Sequence, residues 1–287
     1  MKPEIDEVTG VATTGHEWDG IKELNKPLPR WWLLTFYASV VWAVGYWIVY
    51  PAWPLANDYT RGVWGYSQRA TLAAEVQAAK EAQAGMRDLL ERTPLADVRK
   101  NPDLLRFASA AGAAAFQTNC APCHGRGAQG FVGYPNLNDD DWLWGGTIDD
   151  IYKTISFGIR NDNEKAHAIA MPRFGLDKML DDGKINDVAE YVLSLSGRAG
   201  DKVAAERGAS TYKADCAVCH GDDGKGKIEQ GAPNLTDVIW LYGGSKEQIV
   251  ESIRTGRGGS MPAWAPRLDS TTVKSLAVYV HSLGGGK

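Results

Sequence analysis

Apolar residues form one long uninterrupted stretch near the start of the chain and shorter periodic runs after it. From Trp31 to Tyr50 no residue carries a charge, and this length is enough for an α-helix to cross about 30 Å of hydrocarbon. Tryptophan and tyrosine stand at both ends, as at membrane interfaces, and Pro51 and Pro54 follow. The pattern favours a membrane helix over a buried core helix and predicts a transmembrane segment over 31–50.

The flanks of this segment predict its orientation. A cleaved signal peptide is the alternative, but the apolar run is too long for a signal core and an acidic stretch precedes it. Lys22, Lys26 and Arg30 lie on the N-terminal side, whereas only Arg61 lies close beyond the other end. We therefore expect a retained anchor with a cytoplasmic tail over 1–30 and the rest of the chain outside.

The remainder of the chain contains an internal repeat in which six features recur in the same order. They are Gly112-x-x-x-Phe116 and Gly208-x-x-x-Tyr212, Cys120–His124 and Cys216–His220, Pro135 and Pro233, Gly145 and Gly243, Met171 and Met261, and Tyr191 and Tyr279. The first copy carries a short insertion before its Met-Pro that contains His167. A duplicated domain explains this order.

Each copy is predicted to be helical. Ile185, Val188, Ala189 and Val192 recur at helical spacing, and Gly197 marks the end of that helix. The stretch STTVKSLAVYV shows the same spacing and opens with Ser and Thr as expected caps. No run in either copy alternates long enough to predict a strand.

These patterns divide the chain into five parts. The alanine-rich stretch after the anchor predicts one or two helices broken before Pro94 and Pro102. The predicted parts are a tail over 1–30, an anchor over 31–50, a connector over 51–107 and repeat domains over 108–200 and 201–287. The short link between the repeats suggests that they pack against each other.

Composition narrows the chemistry. The net charge is −4 and no basic stripe occurs, which argues against nucleic acid as a partner. All four cysteines lie in the two Cys-x-x-Cys-His motifs, so no scattered disulfide framework exists. A thioredoxin-like pair would need a βαβ setting, a zinc site would need a fourth ligand, and a disulfide leaves the histidine unexplained. Covalent haem attachment accounts for both thiols and for the histidine that ligates iron.

A haem iron has a second axial position, and methionine is the candidate. Met171 and Met261 each precede a proline and are the methionines that recur in register. Histidine–methionine ligation fills both axial positions and favours electron transfer. Pro135 and Pro233 follow the motif histidines and are candidates to supply the carbonyl that holds the other imidazole nitrogen. His16, His167 and His281 are expected at the surface, although His167 could compete for iron.

Each repeat resembles a class I cytochrome c domain, an all-α fold around one haem. The block DGIKELNKPLPRWWLLTFYASVVWAVGYWIVYPAWP and the segment GYSQR resemble subunit III of cbb3-type cytochrome c oxidases, the CcoP or FixP family, and the likeness covers essentially the full length. The resemblance implies an all-α chain with one transmembrane helix and two tandem cytochrome c domains. It implies haem c on Cys120 and Cys123 with His124 and Met171, and on Cys216 and Cys219 with His220 and Met261; spacing leaves open whether each methionine serves its own repeat's haem or the other's.

The same resemblance implies a function. Subunits of this kind accept electrons from a soluble cytochrome donor and pass them through a mono-haem subunit to the haem–copper subunit that reduces oxygen, in the bacterial inner membrane with periplasmic haem domains. The chain would then be non-catalytic by itself. A free membrane-anchored dihaem cytochrome and a dihaem peroxidase are the alternatives, and the two methionines argue against the peroxidase because it needs an open iron site.

Overall fold

Helices account for most of the secondary structure in this computed structural model, which describes residues 4–284. The helices are α1 (Arg30–Val49), α2 (Gln68–Arg92), α3 (Leu95–Val98), α4 (Pro102–Asn119), α5 (Ala121–His124), α6 (Ile148–Phe157), α7 (Asp182–Ser194), α8 (Lys202–Thr211), α9 (Ala217–His220), α10 (Lys246–Thr255) and α11 (Ser270–His281). A π-helical turn (Tyr212–Cys216) links α8 to α9, and a 3-10 turn spans Ile228–Gln230. The predicted helical character is confirmed.

The N-terminal tail contains a β-hairpin that the periodicity analysis missed. Strand β1 (Thr13–Trp18) pairs antiparallel with β2 (Ile21–Leu24), and Trp18 lies opposite Ile21. The two connecting residues, Asp19 and Gly20, have φ values of 50° and 86°. Asp-Gly is favoured where both turn residues need positive φ, so this dipeptide was the available signal.

Helix α1 matches the predicted anchor to within one residue at each end. It runs from Arg30 to Val49, and none of its residues is buried within the protein. The two hydroxyls in the apolar run are satisfied inside the helix, because Thr35 donates to the Trp31 carbonyl at 2.9 Å and Ser39 to the Phe36 carbonyl at 2.7 Å. By length and composition α1 can cross a membrane.

The connector forms helices with the predicted breaks. Helix α2 ends at Arg92, before Pro94, and Pro102 is the first residue of α4. The Asn101 side chain caps α4 by accepting from the backbone N–H groups of Asp103 and Leu104. The chain divides into two compact units, Met1–Ala82 and Gln83–Lys287, and the boundary falls inside α2.

Two hydrophobic cores lie within Gln83–Lys287, and each combines segments of both sequence repeats. The first core contains buried residues of α3, α4 and α6 from the earlier part of the chain and of α11 from its end. The second contains buried residues of α7 from the first repeat and of the π-helical turn, α9 and α10 from the second. The last helix of each repeat, α7 or α11, thus packs in the core of the other repeat. The ranges 108–200 and 201–287 mark the two sequence repeats. That each range forms a domain of its own stays a prediction.

Glycine allows each exchanged pair of helices to approach closely. A Cβ atom on Gly112 of α4 would lie 2.1 Å from the Ser275 carbonyl oxygen of α11. A Cβ atom on Gly208 of α8 would lie 2.1 Å from the Asp187 carbonyl oxygen of α7. Since both contacts are with backbone, only glycine fits at these crossings without separating the helices.

The aromatic residues that follow these glycines pack across the same crossings. The ring centroids of Phe116 and Tyr279 lie 5.4 Å apart, and those of Tyr212 and Tyr191 lie 4.8 Å apart. Both contacts again join one repeat to the other. The recurring Gly-x-x-x-aromatic spacing therefore serves the packing between repeats.

Aspartates cap the two terminal helices. The Asp181 side chain accepts from the Lys184 N–H at 2.9 Å, and the Asp269 side chain accepts from the Thr272 N–H at 3.0 Å. The expected Ser and Thr caps of α11 are therefore wrong, because the aspartate just before them occupies the N-cap position.

Candidate haem-binding sites

The two Cys-x-x-Cys-His motifs adopt the same local structure. In each, the first cysteine ends one helix and the next four residues form a short turn of helix, α5 or α9. Gly125 and Gly221 follow the histidines with φ of 80° in both cases, which stops the turn. This compact turn keeps both thiols close to the imidazole along the chain.

Each motif histidine is held by the predicted carbonyl. Nδ1 of His124 lies 3.0 Å from the Pro135 carbonyl oxygen, and Nδ1 of His220 lies 3.1 Å from that of Pro233. With Nδ1–H donating to a carbonyl, Nε2 remains available as an acceptor or metal ligand. Burial lowers the pKa of both imidazoles, which keeps them in the neutral form that binds metal.

Burial disfavours the thiolate form of the first cysteine in each motif. Burial raises the pKa of the Cys120 thiol to about 11 and that of the Cys216 thiol to about 12, with smaller contributions from neighbouring groups. None of the four cysteines forms a disulfide in the described part of the chain. Redox-active and zinc-binding cysteines instead need a lowered thiol pKa and a site that favours the anion. Cys120 and Cys216 therefore favour the neutral thiol.

The second motif opens into a cavity of about 390 Å³. Cys216, Cys219 and His220 line it together with Met171 and with apolar residues of the second core. Cofactor sites of this volume with mostly apolar linings and few polar groups are common. The two thiols, the free imidazole nitrogen, the thioether and the apolar walls together fit a haem, and Met171 comes from the other repeat.

The first motif has the corresponding arrangement. Cys120 packs against the first hydrophobic core, and Met261 packs against the same core. Here the methionine comes from the second repeat. The structure thus brings Cys120 and Met261 to one core, and Cys216 and Met171 to the other.

Backbone contacts fix this exchange of methionines. Met261 and Ile159 form an antiparallel bridge with two N–H to carbonyl bonds of 2.9 Å. A Cβ atom on Gly158 would lie 2.3 Å from the Met261 carbonyl oxygen, and one on Gly256 would lie 2.5 Å from the Met171 carbonyl oxygen. Both glycines have positive φ, so they permit the close approach of the opposite Met-Pro segment.

Two models of known protein families match this chain. The family model described as the N-terminal domain of cytochrome oxidase-cbb3, FixP, matches residues 10–57. The model described as cytochrome c oxidase, cbb3-type, subunit III, matches residues 108–192 and 203–280.

The chain belongs to the subunit III family of cbb3-type cytochrome c oxidases.

Curated relatives of this subunit III family extend over the whole chain. A cbb3-type cytochrome c oxidase subunit FixP of Azorhizobium caulinodans is 55% identical, covering 99% of this chain and 96% of the relative. Subunits CcoP of Azospirillum brasilense and Cereibacter sphaeroides are 52% and 50% identical, covering 99% and 100% of this chain and 99% of each relative. The family resemblance inferred from the anchor and the repeated motifs is confirmed.

The other histidines of this subunit III chain differ in exposure. His16 is exposed, as expected. His167 and His281 are half-buried, so each reaches the surface only in part. The His167 ring stacks on Trp144 at a centroid distance of 4.2 Å, and its Nε2 lies 3.1 Å from Oγ1 of Thr154. These contacts engage its ring within the first repeat.

Two polar residues beside the methionine segments escaped the sequence reasoning. Arg160 lines the cavity and donates to two backbone carbonyls, and Asn161 donates to the Met261 carbonyl at 2.7 Å. The signal that was available is their position at the start of the insertion that separates the two repeats in length. What the insertion does becomes visible only from the residues that surround it in the folded chain.

Proposed function

We propose that this chain is the dihaem electron-transfer subunit of a cbb3-type cytochrome c oxidase. Two haem c groups would be attached, one to Cys120 and Cys123 and the other to Cys216 and Cys219, with His124 and His220 as axial ligands. The observation that carries the proposal is the pair of imidazoles held through Nδ1 by Pro135 and Pro233 beside those thiols.

We further propose that the axial methionines are exchanged. Met261 would ligate the iron of the first haem and Met171 that of the second. The support is the packing of Met261 on the core that holds Cys120, and the position of Met171 in the cavity with His220. Thioether ligation raises the reduction potential relative to two histidines and leaves no open iron position.

The chain's own residues then serve one-electron transfer. The bound groups supply the redox chemistry, and the protein supplies apolar walls, fixed imidazoles and thioethers that keep the sites dry and rigid. A closed axial position favours electron relay over peroxide turnover. We propose a soluble cytochrome as donor and the mono-haem and haem–copper subunits of the oxidase as partners, so that oxygen reduction takes place elsewhere in the complex.

The membrane arrangement is part of the same proposal. Helix α1 would anchor the chain in the bacterial inner membrane with residues 1–30 in the cytoplasm and both haem domains in the periplasm. Support comes from the length and exposure of α1 and from the basic residues on its N-terminal side.

Exchange of the methionines can be tested by redox titration. Met261→His should lower the potential of the haem attached to Cys120 and Cys123, because imidazole replaces the thioether. Met171→His should lower that of the other haem. Variants that lack one pair of cysteines assign each titration step to its haem. If either variant instead lowered the potential of the haem attached within its own sequence repeat, the exchange would be contradicted.

Isolation of the complex tests the physiological role. Purification in mild detergent should recover the chain with a haem–copper subunit and with two covalent haems per chain. Replacing Cys120 and Cys123 with alanine should halve the covalent haem content. Recovery of the chain alone would favour the free membrane-anchored cytochrome, and peroxide turnover by the purified chain would favour the peroxidase.

A further inference from the structure

One guanidinium joins the two methionine segments. Nε of Arg160 donates to the Gly259 carbonyl at 2.7 Å, and its Nη1 donates to the Ile169 carbonyl at 2.9 Å. These carbonyls occupy the same register, since each lies two residues before a methionine, Met261 and Met171 respectively. A charged donor that holds two backbone acceptors in fixed geometry is a rigid support, because the guanidinium is planar.

The backbone of Arg160 is held in an unusual conformation. Its φ is 47°, in the left-handed region that non-glycine residues seldom adopt. An arginine kept where a glycine would be unstrained indicates that its side chain has a function there.

The insertion in the first repeat supplies the bonds that hold this conformation. The Arg160 N–H donates to the His167 carbonyl at 2.8 Å, and the His167 N–H donates to the Gly158 carbonyl at 3.1 Å. Ser260 donates through Oγ to the Arg160 carbonyl at 2.9 Å. The loop thus closes on Arg160 and links it to the residue before Met261.

Asn161 adds a bond to one methionine segment only. Its Nδ2 donates to the Met261 carbonyl at 2.7 Å and to the Phe157 carbonyl at 2.9 Å. Asn161 lies among the extra residues of the first repeat, so it has no counterpart in the second repeat that would reach Met171. The Met261 segment is therefore held by Arg160 and Asn161, whereas the Met171 segment is held by Arg160.

We propose that Arg160 is a positioning residue for both axial methionines, tying their segments together through one guanidinium, and that Asn161 positions Met261 alone. This inference rests on the proposed haem ligation by these methionines. It gives the insertion a purpose, and it makes the two iron–sulfur bonds dependent on a shared support.

Alkaline titration of the full dihaem chain tests this. The charge-transfer absorption of methionine-ligated ferric haem is followed as pH rises, until another ligand replaces the thioether. Arg160→Lys keeps the positive charge but lacks the fork that spans two carbonyls. We expect the ligand-off form to increase roughly fivefold to tenfold at both haems, given the usual net value of such bonds.

Two variants serve as comparisons. Asn161→Ala should weaken methionine ligation only at the haem served by Met261. About half of the charge-transfer absorption should therefore respond, and the other half should titrate as in the wild-type protein. Arg173→Lys is the matched control, because Arg173 follows Met171 closely but pairs with Asp177 at 2.8 Å rather than with a methionine-segment carbonyl. It should leave both transitions unchanged.

The outcomes separate the inference from its basis. Absence of the charge-transfer absorption in the wild-type protein would contradict the proposed ligation of iron by the two methionines. A wild-type titration curve for Arg160→Lys, or a change at one haem only, would overturn the shared support. If Arg160→Lys fails to retain haem, Arg160→Gln replaces it, and an unchanged absorption at both haems would again overturn the proposal. Potentials that follow side-chain charge while the absorption stays constant would show a purely electrostatic role.

Discussion

The crossing of α7 and α8 gives the sharpest stability prediction. We consider Gly208→Ala, where the new Cβ would lie 2.1 Å from the Asp187 carbonyl oxygen and 2.5 Å from its carbonyl carbon. Real Cβ contacts essentially never fall below 3.0 Å. Because the obstacle is backbone, no rotamer change relieves it, and the two helices must separate.

The expected magnitude follows from two opposing effects. Alanine in a helix is more favourable than glycine by about 1 kcal/mol. Overpacking of a well-packed contact costs about 1–3 kcal/mol, and more where backbone must move. A contact of 2.1 Å with backbone places this site in the upper part of that range, so we expect Gly208→Ala to lower the free energy of unfolding by about 1–2 kcal/mol. For a unit of this size each kcal/mol lowers the Tm by about 2–4 °C.

Calorimetry of the haem-loaded protein measures this, with Gly85→Ala as the matched control. Gly85 lies in α2 and a Cβ atom there would meet nothing within 4 Å, so the same substitution should stabilise by about 0.5–1 kcal/mol. Opposite signs for the two variants are the expected result. If Gly208→Ala stabilised the protein as Gly85→Ala does, the close crossing between the repeats would be refuted.

Three further predictions concern charge and the anchor. Glu190 is 3% exposed and pairs with Lys246 at 2.7 Å, and this pairing lowers the pKa of the Glu190 carboxyl. The stability that the ionised carboxyl contributes is therefore present above pH 4.5 and is lost as pH falls through the lowered pKa. Glu190→Gln should therefore lower Tm at pH 7, and a difference that persisted undiminished in acid would contradict this. Burial, and then the charge of Asp237, raises the pKa of Asp141 to about 6; stability from this group is full below pH 3.8 and lost as pH rises through 6. Asp141→Asn should raise Tm above pH 6 and match wild type near pH 4, whereas equal Tm throughout would refute the shift. Cleavage at a protease site placed at Asn57 should release the haem-bearing fragment from membranes, and retention there would argue against α1 as the sole anchor.

Several features follow from the sequence because their causes are local. The charge-free run from Trp31 to Tyr50 predicts α1, since an uninterrupted apolar helix depends on neighbouring residues alone. Cys-x-x-Cys-His places two thiols and an imidazole on one short turn whatever surrounds it. The Pro135 and Pro233 carbonyls also follow, because each lies only a short loop away from its histidine. The Asp19-Gly20 turn is equally local, but hydrophobic periodicity alone does not predict it.

Other features required the tertiary structure because they depend on which repeat packs against which. The two copies carry the same glycine, aromatic and methionine positions, so pairing within a copy and pairing between copies satisfy the same local pattern. Only the folded chain shows Gly112 against Ser275 and Gly208 against Asp187. The double contact of Arg160 depends on that exchange, because it joins segments far apart in sequence. Short-range spacing therefore determined the chemistry of each motif, and long-range packing decided which methionine meets which motif.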